Sequence, residues 1–242
     1  MEAYRKSAKI AEGKTKIIWD VKDYPDLIII ENKKDITAFD DPKFTRQFEL
    51  KAQYATTTTC KVFELLKKAG IPVAYEKQLS PTEFLAPSCE MIPLEAVVRR
   101  YAVGSYLKRQ PNFIKPDKDL PHRFKNLLVE FFLKTTKGRL VSKNGKMLVD
   151  GLKPQTGEED PLIANPYDEE WNLLHPKKPS SDPASDLKKT VKANEVVSGT
   201  ENIEQMAKIL QRTFFRLEET WWRVHACRLI DMKVEFGITK KC

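Results

Sequence analysis

The sequence lacks the features that define several common classes of protein. Its 242 residues include only 4 cysteines, with neither a Cys-x-x-Cys pair nor a spacing typical of metal ligands, so neither disulfides nor zinc is expected to hold the fold. No apolar run approaches the roughly 20 residues that a membrane-spanning helix needs. The first residues contain no apolar block of the kind found in secretory signals. We therefore expect a cytoplasmic protein without a membrane partner.

Signatures of nucleic-acid binding and of two hydrolase classes are missing as well. The chain has no RNA-recognition aromatic motif and no zinc finger, and it has neither a Gly-x-Ser-x-Gly elbow nor a His-Glu-x-x-His motif. It does have an excess of positive charge, with 42 Lys and Arg against 34 Asp and Glu and a formal net charge of +8. Such an excess favours anionic partners. Nucleic acid, an acidic membrane surface and phosphorylated small molecules all qualify, and charge alone does not choose among them. Because the basic residues are scattered and these motifs are absent, we expect no nucleic acid.

Local patterns predict strands and a helix in the first part of the chain. Residues 16–19 and 27–31 are rich in β-branched and aromatic side chains and are separated by turn formers, which predicts an antiparallel pair of strands. Apolar residues at helical spacing predict a helix from about residue 48 to 69. The threonines at 56–59 favour helix weakly, so tertiary packing must stabilise that stretch.

The later part of the chain mixes a proline-rich region with clear local signals. Asn144-Gly145 predicts the turn of a hairpin, and residues 175–192, with three prolines among serines and lysines, predict a surface loop or mobile connector. A capping-box pattern at 198–201 precedes a long amphipathic helix. We expect the apolar stripe of that helix to lie in the core, with a partner-binding or coiled-coil seam as the alternative. The stripe consists of Ile203, Ala207, Leu210, Phe214, Leu217, Trp221 and Val224.

The most informative segment is residues 229–237. Side chains alternate faces along a strand, so Asp231, Lys233 and Glu235 share one face and their apolar neighbours share the other. Same-face neighbours are about 7 Å apart, which puts a cation between two carboxylates within reach of one polyphosphate and its metal ion. A solvated strand face with weak ion pairs has the same pattern, and the residues alone leave both interpretations open.

A glycine and two lysines near the N-terminus form a second candidate site. Gly13 would let the backbone approach a ligand closely, while Lys14 and Lys16 would present two ammonium groups to phosphate oxygens from one strand face. The spacing is not that of a Walker loop. A pair of lysines at a strand edge often serves only solubility, and that alternative also stays open.

Two further segments carry candidate anion-binding residues. Arg99 precedes a turn of small residues at Gly104-Ser105, and arginine suits bidentate capture of phosphate or carboxylate. Lys134 ends a hydrophobic strand. Arginines near turns and lysines at strand ends are also common on ordinary surfaces.

Taken together and in this order, these segments are similar to the SAICAR synthetase (phosphoribosylaminoimidazole-succinocarboxamide synthase) family of purine biosynthesis. The resemblance rests on the blocks at residues 12–16, 37–40, 69–72, 89–95, 98–105, 130–134 and 231–237. It implies a ligase in which ATP phosphorylates the carboxylate of 5-amino-1-(5-phospho-ribosyl)imidazole-4-carboxylate. The amine of L-aspartate then displaces phosphate to form an amide. ATP and Mg²⁺ are the implied cofactors, and small molecules are the implied partners.

The resemblance also implies roles for individual residues. The ATP-binding residues would be Gly13, Lys14, Thr15, Lys16, Glu90, Met91 and Lys134, with the backbone of Glu90 and Met91 meeting adenine. The ribonucleotide would contact Asp40, Arg99, Gly104 and Ser105. Asp231 and Lys233 would be the catalytic residues that face the imidazole carboxylate, and Glu235 would bind magnesium.

The implied fold is α+β, related to ATP-grasp enzymes, with antiparallel sheets in two parts and the nucleotide in the cleft between them. On this basis we divide the chain into a strand-rich nucleotide-binding part, 1–92, and a second α+β part, 93–242, which carries the substrate and metal residues. A Pro-rich insertion occupies about 135–195 of the second part.

The C-terminal end of the sequence raises an alternative. The family resemblance implies a further strand with another metal-binding acidic residue after Gly237, whereas this sequence stops at Cys242. The alternative function is a C-terminally truncated, non-catalytic nucleotide-binding relative. The sequence leaves open whether the protein is a homo-oligomer and whether it is fused to another purine enzyme.

Overall fold

The structure is a computed structural model that describes residues 4–37, 45–48, 50–116, 120–198 and 200–239. It divides the chain into two compact units, Met1–Glu90 with Ile238–Cys242, and Met91–Gly237. Helices and antiparallel sheets occur together, so the predicted α+β class is confirmed.

The first unit is built on a five-stranded antiparallel sheet. Its elements are β1 (Lys6–Glu12), β2 (Lys16–Val21), β3 (Leu27–Asn32), β4 (Asp35–Thr37), β5 (Thr45–Gln47), α1 (Lys51–Lys68), β6 (Lys77–Ser80) and β7 (Glu83–Pro87). The sheet has the order β1-β2-β3-β7-β6, and β4 pairs with β5. The predicted pairing of residues 16–19 with 27–31 is confirmed, with Ile18 opposite Ile30.

Helix α1 shows how tertiary packing supports a weak helical sequence. It begins at Lys51, three residues later than predicted. Thr56 is completely buried, and its hydroxyl accepts a hydrogen bond of 2.8 Å from Asn32 Nδ2. This bond satisfies two buried polar groups at once. The helix ends where Gly70 adopts a φ of 68°, a left-handed conformation that glycine enters at little cost.

The second unit is built on a six-stranded sheet. Its elements are β8 (Cys89–Tyr101), α2 (Ser105–Arg109), β9 (Arg123–Leu133), β10 (Leu140–Val141), β11 (Met147–Val149), β12 (Leu162–Ile163), β13 (Glu170–Leu174), β14 (Asp186–Lys192), α3 (Ala193–Val196), α4 (Thr200–His225) and β15 (Asp231–Thr239). The order is β14-β13-β12-β9-β8-β15. The predicted hairpin is confirmed, because β10 pairs with β11 around the Asn144-Gly145 turn.

Three neighbouring strands of this sheet, β9, β8 and β15, sort their side chains by alternation. One face packs with α4 into a single core that includes Leu94, Ala96, Val98, Phe131, Leu133, Ile203, Leu210 and Phe214. Met232, Val234 and Phe236 of β15 pack against the same core, so the predicted apolar face of this strand is confirmed. The intervening residues of the three strands therefore lie on the opposite face.

The stripe of α4 is buried over only part of its length. Ile203, Leu210 and Phe214 are inaccessible to solvent, whereas Trp221 is 36% exposed and Val224 is 64% exposed. The expectation that the whole stripe lies in the core is wrong for the last turns. Periodicity shows which side of a helix is apolar, but not how far the packing partner extends along it. None of the described helices combines the length and apolar composition needed to cross a bilayer.

The prediction of a loop over residues 175–192 is also wrong in part. Strand β14 occupies Asp186–Lys192 and pairs with β13, and the side chain of His175 is buried. Lys188 has a φ of 53°, and the pairing shifts register between Asn172 and Leu174. A bulge of this kind interrupts the alternation by which a strand is read from sequence.

We predict that Phe214→Ala destabilises the second unit by about 3–5 kcal/mol, because the removed ring leaves a cavity in the core. Phe215→Ala is the matched control, since this neighbouring ring is exposed and its loss should cost about 1 kcal/mol or less. The Arg100 guanidinium lies 5.8 Å from the Phe214 ring and 5.6 Å from the Phe215 ring, so both variants lose a similar cation contact. Urea unfolding followed by circular dichroism measures the difference, and equal losses would contradict this packing.

Candidate active site

Two lysines and three carboxylates form one cluster around Glu95 on the polar face of the six-stranded sheet. Glu95 Oε1 accepts hydrogen bonds from Lys134 Nζ at 2.7 Å and from Lys233 Nζ at 3.0 Å. Lys134 Nζ also lies 3.3 Å from Asp160 Oδ2 and 3.9 Å from Glu235 Oε1. The structure thus brings together Lys134, Lys233 and Glu235, which the sequence analysis singled out in two separate segments.

Strand pairing explains why Lys134 lies in this cluster. Leu94 of β8 pairs with Leu133 of β9, and the Lys134 amide donates a 2.8 Å hydrogen bond to the Pro93 carbonyl. Strand pairing therefore holds Lys134 beside Pro93, two residues before Glu95 on β8. Asp160 is fixed by a 2.7 Å hydrogen bond from the amide of Thr135 to its carboxylate.

Opposite charges keep Glu95 and Lys134 ionised. Burial alone would raise the pKa of the Glu95 carboxyl, but hydrogen bonds from Lys134 and Lys233 outweigh burial, and the pKa is lowered. Burial alone would likewise lower the pKa of Lys134, but Glu95 and Asp160 raise it well above its usual value. Lys134 is therefore cationic at neutral pH and suited to holding anionic oxygens.

A second group of predicted residues meets at the buried guanidinium of Arg99. Its Nη1 donates to Asp231 Oδ2 at 2.8 Å, its Nη2 donates to Ser105 Oγ at 3.2 Å, and its Nε donates to Glu130 Oε2 at 2.9 Å. Gly104 has φ 58° and ψ −130°, a conformation open to glycine alone, and it makes the turn that leads into Ser105. The structure therefore brings four predicted residues together around one guanidinium group, namely Arg99, Gly104, Ser105 and Asp231.

The glycine and lysines near the N-terminus lie in the first unit, at the turn between β1 and β2. Gly13 donates a 2.9 Å backbone hydrogen bond to the carbonyl of Lys16, and Thr15 accepts one of 2.7 Å from Lys33. Gly13, Lys14 and Lys16 are exposed. A Cβ added at Gly13 would meet nothing closer than 3.9 Å, so the turn itself does not require glycine.

The remaining predicted residues have simpler surroundings. Glu90 and Met91 are exposed residues near the start of β8. Asp40 lies outside the described residues.

The described residues contain no group of three or more His, Cys, Asp or Glu side chains arranged to hold a metal ion. Glu235 and Asp160 nevertheless both lie beside Lys134. Magnesium in nucleotide sites is commonly held by one or two carboxylates together with substrate phosphates. The carboxylates present therefore fit a magnesium ion that arrives with a nucleotide.

Three residues of these two clusters had no predicted role, namely Glu95, Asp160 and Glu130. The first could have been found, because Glu95 shares a strand face with Arg99 by simple alternation. Asp160 lies in the region assigned to the Pro-rich insertion and carries no periodic signal.

Comparison with known proteins connects this geometry to one family. The family model described as SAICAR synthetase matches residues 9–148. The chain is 33% identical to the bifunctional phosphoribosylaminoimidazole carboxylase/phosphoribosylaminoimidazole succinocarboxamide synthetase of Rattus norvegicus over 230 residues. The aligned region covers 95% of this chain and 44% of that protein. The chain is also 31% identical over 230 residues to the phosphoribosylaminoimidazole-succinocarboxamide synthase of Chloroflexus aurantiacus. Here the aligned region covers 95% of this chain and 72% of that protein.

A solved structure supports the same fold. The chain resembles a SAICAR synthetase (Type-2) in complex with ADP, with a TM-score of 0.65 and 24% sequence identity, over 95% of this chain and 75% of that one. At this identity the likeness shows the fold alone. The chain spans less than half the length of the multifunctional relatives it matches, with 44% of the Rattus norvegicus protein covered.

We predict that Glu95→Gln lowers the free energy of unfolding by about 1–3 kcal/mol at pH 7, because two ammonium groups lose their shared anion. The folded-state pKa of Glu95 is lowered, so its contribution is present above the unfolded pKa of about 4.3 and is lost as the pH falls through the folded-state value. The difference between variant and wild type should therefore shrink toward low pH. Denaturation measured between pH 7 and pH 3 tests this expectation.

Glu204→Gln provides the control for the Glu95 variant. Glu204 also pairs with a lysine, Lys208, but both side chains are largely exposed on α4. Such a pair contributes well under about 1 kcal/mol. A Glu95 variant that behaves like the Glu204 variant at every pH would refute the central place of Glu95.

Proposed function

Because this chain belongs to the SAICAR synthetase family, we propose that it joins L-aspartate to the carboxylate of 5-amino-1-(5-phospho-ribosyl)imidazole-4-carboxylate at the expense of ATP. The observation that carries the proposal is the cluster of Lys134, Lys233 and Glu235 around Glu95. With ATP bound next to it, this cluster would supply both the cations and the metal-binding carboxylate that phosphoryl transfer needs.

The proposed reaction has two steps. A carboxylate oxygen of the ribonucleotide attacks the γ-phosphorus of ATP, the bond to the β-phosphate oxygen breaks, and ADP leaves. The amine of L-aspartate then attacks the acyl phosphate carbon, the bond from carbon to the phosphate oxygen breaks, and the amine loses a proton. The products are the amide, ADP and phosphate, and the protein need not supply a nucleophile.

The ribonucleotide is assigned to the group around Arg99. The Arg99 guanidinium and the Ser105 hydroxyl would bind its phosphate, since a guanidinium fork matches phosphate oxygens. Asp231 and Lys233, two residues apart on one face of β15, would face the imidazole ring and its carboxylate. The positive charge of Lys233 would offset the negative charge that develops as the acyl phosphate forms.

The nucleotide is assigned to Lys134 and to the ATP-binding residues that the family resemblance names. Lys134 would hold phosphate oxygens, because its ammonium group stays charged in this cluster. Lys14 and Lys16 would add further cations, and Gly13 and Thr15 the close backbone approach. Glu90 and Met91 would meet adenine through their backbone, and Asp40 would contact the ribonucleotide. A magnesium ion held by Glu235 would neutralise charge on the ATP phosphates.

We predict that the protein releases ADP only when magnesium, the ribonucleotide carboxylate and L-aspartate are all present. Lys233→Met should lower kcat/KM at least 100-fold, since removing a group that stabilises transition-state charge has effects of about 10²–10³. Its fold should be retained, because Lys233 lies on an exposed strand face. A coupled assay for ADP, with circular dichroism as the check of folding, measures both.

Lys208→Met, on the exposed surface of α4, is the control and should keep wild-type turnover. Turnover that proceeds without L-aspartate would count against the ligase. ATP binding without any ligation at saturating substrates would favour the non-catalytic nucleotide-binding alternative instead.

A second prediction separates ligand binding from folding at the turn between β1 and β2. Gly13→Ala should change stability by no more than about 0.5 kcal/mol, because an added Cβ meets no close contact. It should raise the KM for ATP about tenfold, since the methyl group would hold phosphate away from the backbone. Differential scanning fluorimetry and steady-state kinetics supply the two numbers.

Gly145→Ala should show the opposite pattern. Gly145 has a φ of 78° in the hairpin turn, so alanine there is strained and should cost about 1 kcal/mol, while the KM for ATP stays unchanged. An unaltered KM for ATP in the Gly13 variant would remove this turn from the proposed nucleotide site.

A further inference from the structure

Behind Arg99 lies a buried chain of charged groups that the proposed reaction does not use. Glu130 binds two arginines at once: its Oε2 accepts from Arg99 Nε at 2.9 Å, and its Oε1 accepts from Arg109 Nη2. Arg99 is 5% exposed and Arg109 is 3% exposed. The carboxylate of Glu130 is thus enclosed between two guanidinium groups.

Arg109, at the far end of this series of charged groups, is fixed to the proline-rich region. Arg109 Nη1 donates to the carbonyl of Pro176 at 2.8 Å. The backbone carbonyl of Arg109 accepts a 2.8 Å hydrogen bond from the amide of Ser180, and Gln110 Nε2 donates to Ser180 Oγ at 3.0 Å. Residues 176–180 are therefore attached to α2 at several points and hold Arg109 in place.

The direction of each hydrogen bond matters for Arg99. Its Nε is taken by Glu130, so the rotation of the guanidinium plane is set from the buried side. Its Nη1 and Nη2 then point toward Asp231 and Ser105, which is the side assigned to the ribonucleotide. The side chain of Asp231 is 38% exposed and that of Glu130 only 10%. The series of charged groups therefore runs from Glu130 in the interior to Asp231 at the surface.

Charge balance supports the same conclusion. Arg99 and Arg109 carry two positive charges, and the two carboxylates bonded to Arg99, those of Glu130 and Asp231, carry two negative charges, so the four groups balance. Removing one partner from such a group leaves an uncompensated buried charge, which is strongly unfavourable. Because Glu130 is the carboxylate shared by both buried arginines, its charge is the one on which their arrangement depends.

We propose that Glu130 and Arg109 are positioning residues for Arg99, and that the Pro176–Ser180 segment completes their support. The proposal deepens the proposed function and rests on it, because it concerns how the arginine assigned to the ribonucleotide is oriented. Glu130 sets the plane of the Arg99 guanidinium, and Arg109 holds Glu130 in place while it is itself held by the Pro176 carbonyl.

Glu130→Gln tests the proposal with little change in shape. It should weaken binding of the ribonucleotide carboxylate at least tenfold, measured by calorimetry without ATP, and raise its KM equally. The KM values for ATP and L-aspartate should stay within twofold of wild type, a selectivity that general loss of structure would not produce. Arg109→Lys retains the charge but cannot span Glu130 and Pro176, so it should weaken ribonucleotide binding about threefold.

Glu218→Gln is the matched control. Glu218 is the bidentate partner of Arg100, the next residue of β8, on the side that packs with α4, with two hydrogen bonds of 2.8 Å. The same chemical change there should reduce stability but leave ribonucleotide affinity within twofold of wild type.

The outcomes distinguish the positioning role from the proposed function. If the wild type binds the ribonucleotide without turning it over, ligation fails but the affinity ratios still test positioning. Wild-type affinity in a folded Glu130→Gln protein would overturn the proposal, as would equal losses in the Glu130 and Glu218 variants. If Glu130→Gln does not fold, unchanged affinity in Arg109→Lys overturns it. A wild type that does not bind the ribonucleotide overturns both.

Discussion

The alternation of side chains on β9, β8 and β15 is the constraint on which the second unit depends. Leu94, Ala96 and Val98 of β8 face α4 and pack into one core, while Glu95 and Arg99 carry charges on the other face. Arg99 and Arg100 show the consequence, because these adjacent residues bind Asp231 and Glu218 on opposite sides. A shift of pairing by one residue would exchange the faces, so burying the core also determines which charges meet.

Carboxylates that each bind two cations organise the charged face. Glu95 holds Lys134 and Lys233, and Glu130 holds Arg99 and Arg109. In a chain with a net charge of +8, such pairing concentrates cations at defined points without leaving them mutually repelling. Anions such as phosphate groups can then be bound by cations whose positions are already set, which reduces the entropy lost on binding.

Much of the fold was predictable because it depends on short-range patterns. The pair β2 and β3, the hairpin at Asn144-Gly145, helix α4 and the two faces of β15 all follow from periodicity and turn residues. Strand β14 was missed because a bulge interrupts its alternation. The candidate site residues were proposed from alternation and family resemblance. Asp160 was missed because it lies outside the strands and outside the segments on which the resemblance rests.

The sequence by itself determined which residues share a strand face, which helix is amphipathic and where acidic and basic side chains alternate. Only the tertiary structure decided which charges pair. Lys233 and Glu95 are 138 residues apart, and Arg99 and Asp231 are 132 apart, yet both pairs are in contact. The physical reason is that periodicity acts over a few residues, whereas strand order and register in a sheet are decided by the packing of the whole core.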